Sequence, residues 1–98
     1  MPSNNNLVIS YDLYKQGQNY DSLIEEIKKL GSWARVNLSV WYVDSPYTSQ
    51  EAANKLMSVM DANDKLFVVD ATNNQVSWKK LDQAVVKHLQ DHWPKNSK

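Results

Sequence analysis

Two stretches of helical periodicity, separated and flanked by short runs of β-forming residues, constrain this chain more than any other feature. Tyr20, Leu23, Ile24, Ile27 and Leu30 recur at a spacing that places them on one side of a helix, with Glu25, Glu26, Lys28 and Lys29 on the other. Gly31 follows and suits the left-handed position that ends such a helix. Thr48-Ser49-Gln50-Glu51 reads as a capping box, in which Thr48 and Glu51 satisfy each other's free backbone amides. The helix behind it buries Ala52, Leu56, Val59 and Met60 and stops near the acidic turn at 61–64.

The remaining apolar residues fall in strand-length runs. Residues 7–13 are β-branched and aromatic after a polar leader, and read as a first strand. Residues 14–19 then form a polar loop containing Gly17. Residues 33–44 are rich in Trp, Val, Tyr and Leu but too long for one strand. Asn37 and Ser39 interrupt them, so two strands joined by a tight connection are predicted. Ser45-Pro46-Tyr47 breaks the pattern, and Lys65-Leu66-Phe67-Val68-Val69-Asp70 forms another strand. Residues 71–75 read as a polar loop. Ser77 is placed to cap a last helix over residues 78–93 in which Trp78, Leu81, Val85 and Leu89 share a face, and Pro94 prevents its continuation.

The order strand, helix, strand, strand, helix, strand, plus a terminal helix predicts an α+β domain of the ferredoxin-like βαββαβ kind. Its antiparallel sheet carries two helices on one face. A chain of 98 residues has room for one such domain: a leader over 1–6, the fold over 7–93 and a frayed tail over 94–98. In the first strand Leu7, Ile9, Tyr11 and Leu13 share one side, leaving Val8, Ser10 and Asp12 opposite. The last strand also has apolar residues on both faces. The second face therefore needs a cover, supplied by the terminal helix or by another protomer.

Composition closes several routes. With no cysteine, disulfides and thiolate chemistry are excluded, and with only two glycines so are phosphate-cradling loops and dinucleotide fingerprints. No run is long enough for a membrane span, and the first residues lack the features of a signal peptide, so a cytoplasmic location is the default expectation. Eleven basic residues balance eleven acidic ones, which argues against a tight, sequence-independent grip on nucleic acid.

Three segments in order resemble a known family: Ser10-Tyr11-Asp12-Leu13 at the end of the first strand; Gly31 followed by Arg35-Val36-Asn37-Leu38-Ser39-Val40-Trp41; and Asp61 to Asp64 leading into the strand that ends at Asp70. Together they are similar to the small CRISPR-associated adaptation nuclease, its VapD toxin relatives and the SinR-like proteins. The resemblance spans residues 7–70 and implies a homodimer with the two sheets packed together. In active members an aspartate ending the first strand meets its symmetry mate and holds magnesium, and Asp12 fits that position. Magnesium suits hard oxygen ligands and is often held by one or two carboxylates, and one of its waters would attack an RNA or DNA phosphodiester.

This sequence departs from the family in three respects. Tyr42 stands where many CRISPR-associated members have an acidic residue, residues 78–93 read as a helix instead of a further strand, and clustered basic residues are absent. The alternative is therefore a catalytically silent dimeric scaffold or regulator that binds protein partners. If residues 78–93 cover their own sheet, the family-type dimer and its two-aspartate site are lost.

Each singled-out residue also has a plainer reading. The plainer reading of Asp12 is a strand-end aspartate bonding the next turn, as Asp44 and Asp70 are read. Arg35, the sole arginine, is placed to grip a nucleic-acid phosphate, stack on Trp33 or pair with Asp44. His88 and His92 have a zinc-compatible spacing beside Asp91 but lack a third ligand, and read as solvated surface histidines. Trp41 and Trp78 read as core or interface residues.

Overall fold

The computed structural model describes residues 4–14 and 20–95. The expected polar loop from residue 15 onward, with Gly17, and the outermost parts of the leader and tail lie outside the described residues. The described chain is an α+β domain with seven elements: β1 (Asn5–Asp12), α1 (Tyr20–Lys28), β2 (Ser32–Asn37), β3 (Val40–Ser45), α2 (Ser49–Met57), β4 (Lys65–Asp70) and α3 (Gln83–His92).

The four strands form one antiparallel sheet in the order β2-β3-β1-β4. Val8 lies between Tyr42 of β3 and Val69 of β4, and Ile9 between Trp41 and Val68. Alternation then settles the two faces. Leu7, Ile9, Tyr11, Trp41 and Val43 point to one side, where they meet Leu23, Ile27 and Leu30 from the α1 region and Ala52 and Leu56 of α2. Seven of these ten have no exposed surface. Most of the domain's hydrophobic stabilisation resides in this layer.

Several local expectations hold. Thr48 and Glu51 form the capping box, with Glu51 N–H donating to Thr48 Oγ1 at 3.1 Å and Thr48 N–H to Glu51 Oε1 at 2.9 Å. β2 and β3 are joined through Leu38 and Ser39, with a register shift between Arg35 and Asn37. β1 begins at Asn5, inside the expected leader, and Asn6 is fully buried.

Gly31 has a different role from the one its position after α1 implies. It is not in a left-handed conformation. A Cβ added there would lie 2.2 Å from the Asp44 carbonyl oxygen. Its missing side chain lets the chain pass against β3 as it enters β2.

The last helix is shorter than predicted. α3 starts at Gln83 behind Asp82, not behind Ser77, because Lys80 has a φ of 59° and no α-helix continues through that conformation. Residues 76–81 instead run as irregular chain over the second sheet face, and α3 follows on the same side. Leu89 is 3% exposed. The Tyr42 ring meets His88 edge-on at 5.6 Å and Trp93 at 5.5 Å. Of the two covers that the sequence allows, the chain uses its own helix over the β2–β3 half. The β1–β4 half keeps Phe67 67% exposed.

Candidate functional site

Asp12 ends β1 on the second face and is exposed; its ladder partner is Lys65. A shallow groove runs there past Ser10 and Phe67. Close by, the acidic turn serves the backbone: Asp64 is buried, and its two carboxylate oxygens accept from Tyr14 N–H at 2.6 Å and Asp61 N–H at 2.8 Å. That turn fixes where β1 ends and β4 begins, and so positions Asp12. Among the described residues no group of three or more histidine or acidic side chains is arranged to hold a metal. One exposed carboxylate with a lysine opposite it in the ladder does not make a magnesium site within a single chain.

Arg35 is on the other face, at the β2–β3 turn. Its guanidinium donates to the Leu38 carbonyl through Nε at 3.3 Å and through a terminal nitrogen at 2.8 Å, and the same terminal nitrogen reaches the Tyr20 hydroxyl. It lies 5.2 Å from the Trp41 ring and 5.5 Å from that of Tyr20. Neither Trp33 nor Asp44 is its partner: Lys28 lies over Trp33, at 4.9 Å. Trp41 Nε1 donates to the Tyr11 hydroxyl, which donates to the Leu38 carbonyl, both at 3.3 Å. Arg35 thus closes a turn and ties it to α1. The structure does not bring Asp12 and Arg35 together: they lie on opposite faces.

The densest polar cluster joins the last helix to the sheet. Asp44 Oδ2 accepts from His92 Nδ1 at 2.7 Å, and Oδ1 from Lys95 Nζ at 3.0 Å. Burial alone would raise the Asp44 pKa, but the bonds from His92, Lys95 and Asn4 and the Lys95 charge outweigh it, and the pKa is lowered. His88 stacks on His92 with ring centres 4.2 Å apart, and its Nε2 lies 3.0 Å from Ser32 Oγ. Its Nδ1 is buried and has no hydrogen-bond partner among the described residues. Burial lowers the His88 pKa, helped by the neighbouring His92 and Lys95 and opposed by Asp44 and Asp91. Below them Tyr42 donates to Asn6 Oδ1 at 2.6 Å, while Asn6 Nδ2 donates to the Trp93 carbonyl at 2.9 Å. Burial, then the Asp44 charge, raises the Tyr42 pKa.

This cluster corrects two expectations. Asp44 is a strand residue holding α3, not a turn residue, and the histidines are half-buried seam residues, not solvated ones. Asp70 does what was expected, accepting from the Thr72 N–H at 3.0 Å and hydroxyl at 2.5 Å. Trp41 is core at 1% exposure, while Trp78 is half-buried over the second face. Tyr42 stood out in the sequence only as a departure from the family pattern, Asn6 fell in the expected leader and Lys95 in the expected tail, and nothing local pairs any of them with α3.

No protein-family model matches the chain, and no curated protein matches its sequence. Among solved structures it is similar to a hypothetical protein, TT1823, from Thermus thermophilus. The TM-score is 0.62 at 16% identity, covering 81% of this chain and 95% of that one. At that identity the likeness is one of fold alone.

Proposed function

We propose that the chain is a ferredoxin-like βαββαβ domain acting as a catalytically silent scaffold or regulator that binds a protein partner. The observation that carries this reading is the docking of α3 and residues 76–81 on the second sheet face. That face is where a sheet-to-sheet dimer of the adaptation-nuclease kind would form, and Tyr42 and Leu89 already occupy its β2–β3 half. Zero net charge and an arginine engaged within the fold support the same reading. The uncovered β1–β4 half, with Phe67, is the surface left for a partner.

A second reading keeps the nuclease. Asp12 is exposed on that uncovered half, so two copies approaching there would bring their Asp12 carboxylates together as a magnesium site for RNA or DNA hydrolysis. Light scattering together with a cleavage assay separates the two. Wild type and Asp12→Asn, purified alike, are incubated with labelled single-stranded RNA or duplex DNA and magnesium, manganese or chelator. The scaffold reading expects identical behaviour of the two proteins. A dimer whose metal-dependent cleavage disappears in Asp12→Asn overturns it and establishes the nuclease.

A further inference from the structure

The ten core residues on the face under α1 and α2 are each at most 6% exposed, and on the opposite face a cavity of about 330 Å³ lies between the sheet and its cover of residues 76–81 and α3. Val8 and Val40 line it from the strands, Trp78 and Leu81 from the cover, and Trp93 from the end of α3.

We propose that this cavity is a binding site for a small planar aromatic acid. Its volume is in the range of small-molecule sites, which are mostly apolar with a few placed polar groups. Trp78 and Trp93 supply ring faces and edges, surfaces that favour a flat aromatic ligand over a branched aliphatic one. The wall carries one charged residue, Lys79; its neutral polar side chains include Ser77 and Asn37, while the Tyr42 hydroxyl and the Trp93 indole N–H are engaged by Asn6 and Asn74. A lone cation on an apolar wall selects a ligand with one anionic group, since a charge-assisted hydrogen bond is about twice as strong as a neutral one. The cover is suited to admitting such a ligand: residues 76–81 are irregular chain, turned by the left-handed Lys80 and free of strand or helix ladders. This inference does not depend on the scaffold reading, because the cavity lies on the covered half of the face.

The test is a titration of the full chain with 1-naphthoate, followed by tryptophan fluorescence, with the uncharged 1-naphthamide in parallel. Saturable one-to-one quenching by naphthoate is expected. Lys79→Glu should weaken naphthoate by about tenfold and leave naphthamide unchanged, as loss of a hydrogen bond to a charged group would. Val36→Trp, which fills the cavity, should abolish binding of both; Leu81→Trp replaces it if circular dichroism shows that Val36→Trp does not fold. Unsaturable quenching overturns the proposal, as does undiminished binding by a folded filling variant. Equal response of the two probes to Lys79→Glu overturns the assignment of an acid.

Discussion

The Asp44 carboxylate lies 2.7 Å from Nδ1 of His92, joining the second-last residue of β3 to the last of α3. It is the centre of the seam that keeps the sheet's second face covered, and two groups there, His88 and Asp44, each contribute stability that is lost as pH falls. The His88 pKa is lowered from its ordinary 6.5, so the unfolded chain takes up that proton more readily than the folded one. Stability from this group is intact above pH 6.5 and is lost as pH falls through the folded value. A protonated ring would also bury an unpaired Nδ1–H beside His92. Asp44, lowered from 3.8, gives a further loss below that pH. Denaturant unfolding measured from about pH 7.5 down to about pH 4.5 should show falling stability, and His88→Phe should flatten the upper part of that fall. An unchanged midpoint in wild type would refute the coupling.

Gly31→Ala should destabilise the fold by about 2–3 kcal/mol, because the added methyl meets backbone of a central strand and not a side chain that can swing away. Urea midpoints check this. A loss under half a kilocalorie would mean that the entry to β2 shifts freely.

Asp64→Ala removes the acceptor for two backbone amides at the β1 exit. A cost of about 1–3 kcal/mol is expected. Hydrogen exchange at the Tyr14 amide should accelerate more than exchange in the middle of β3; equal acceleration would show global loss only.

Tyr42→Phe leaves the buried Asn6 Oδ1 without its donor, at a cost of about 1–2 kcal/mol. Since Asn6 also holds the Trp93 carbonyl, the change should raise exchange in the last turn of α3 before it affects α1. Equal effects on both helices would contradict a separate seam.

Much of the fold was legible because its signals are local. The capping box at Thr48, the run that forms β4 and the interruption at Asn37 and Ser39 each depend on neighbours within a few residues. The end of the chain was harder. Trp78, Leu81, Val85 and Leu89 have helical spacing, but Trp78 and Leu81 face the cavity over the strands, and the chain turns at Lys80 without a glycine to mark it. Gly31 reads in the sequence as a helix-ending glycine, yet its conformation is ordinary, and the close approach of Asp44 is a tertiary fact. The seam itself was illegible, since Asp44 and His92 stand 48 positions apart and each has a plausible surface role when read alone.

The place of β1 in the sheet has a consequence for how the molecule is made. Synthesised before the other three strands, β1 finds its partners only when β3 and β4 follow, while the β2–β3 hairpin closes at once. Until Lys65 to Asp70 has been synthesised, one side of an apolar strand has open amides and carbonyls. A chain stopped before Lys65 should therefore aggregate where the full chain stays dispersed, which centrifugation of the two would reveal. The strand that organises the finished sheet is the one that waits longest for its second partner.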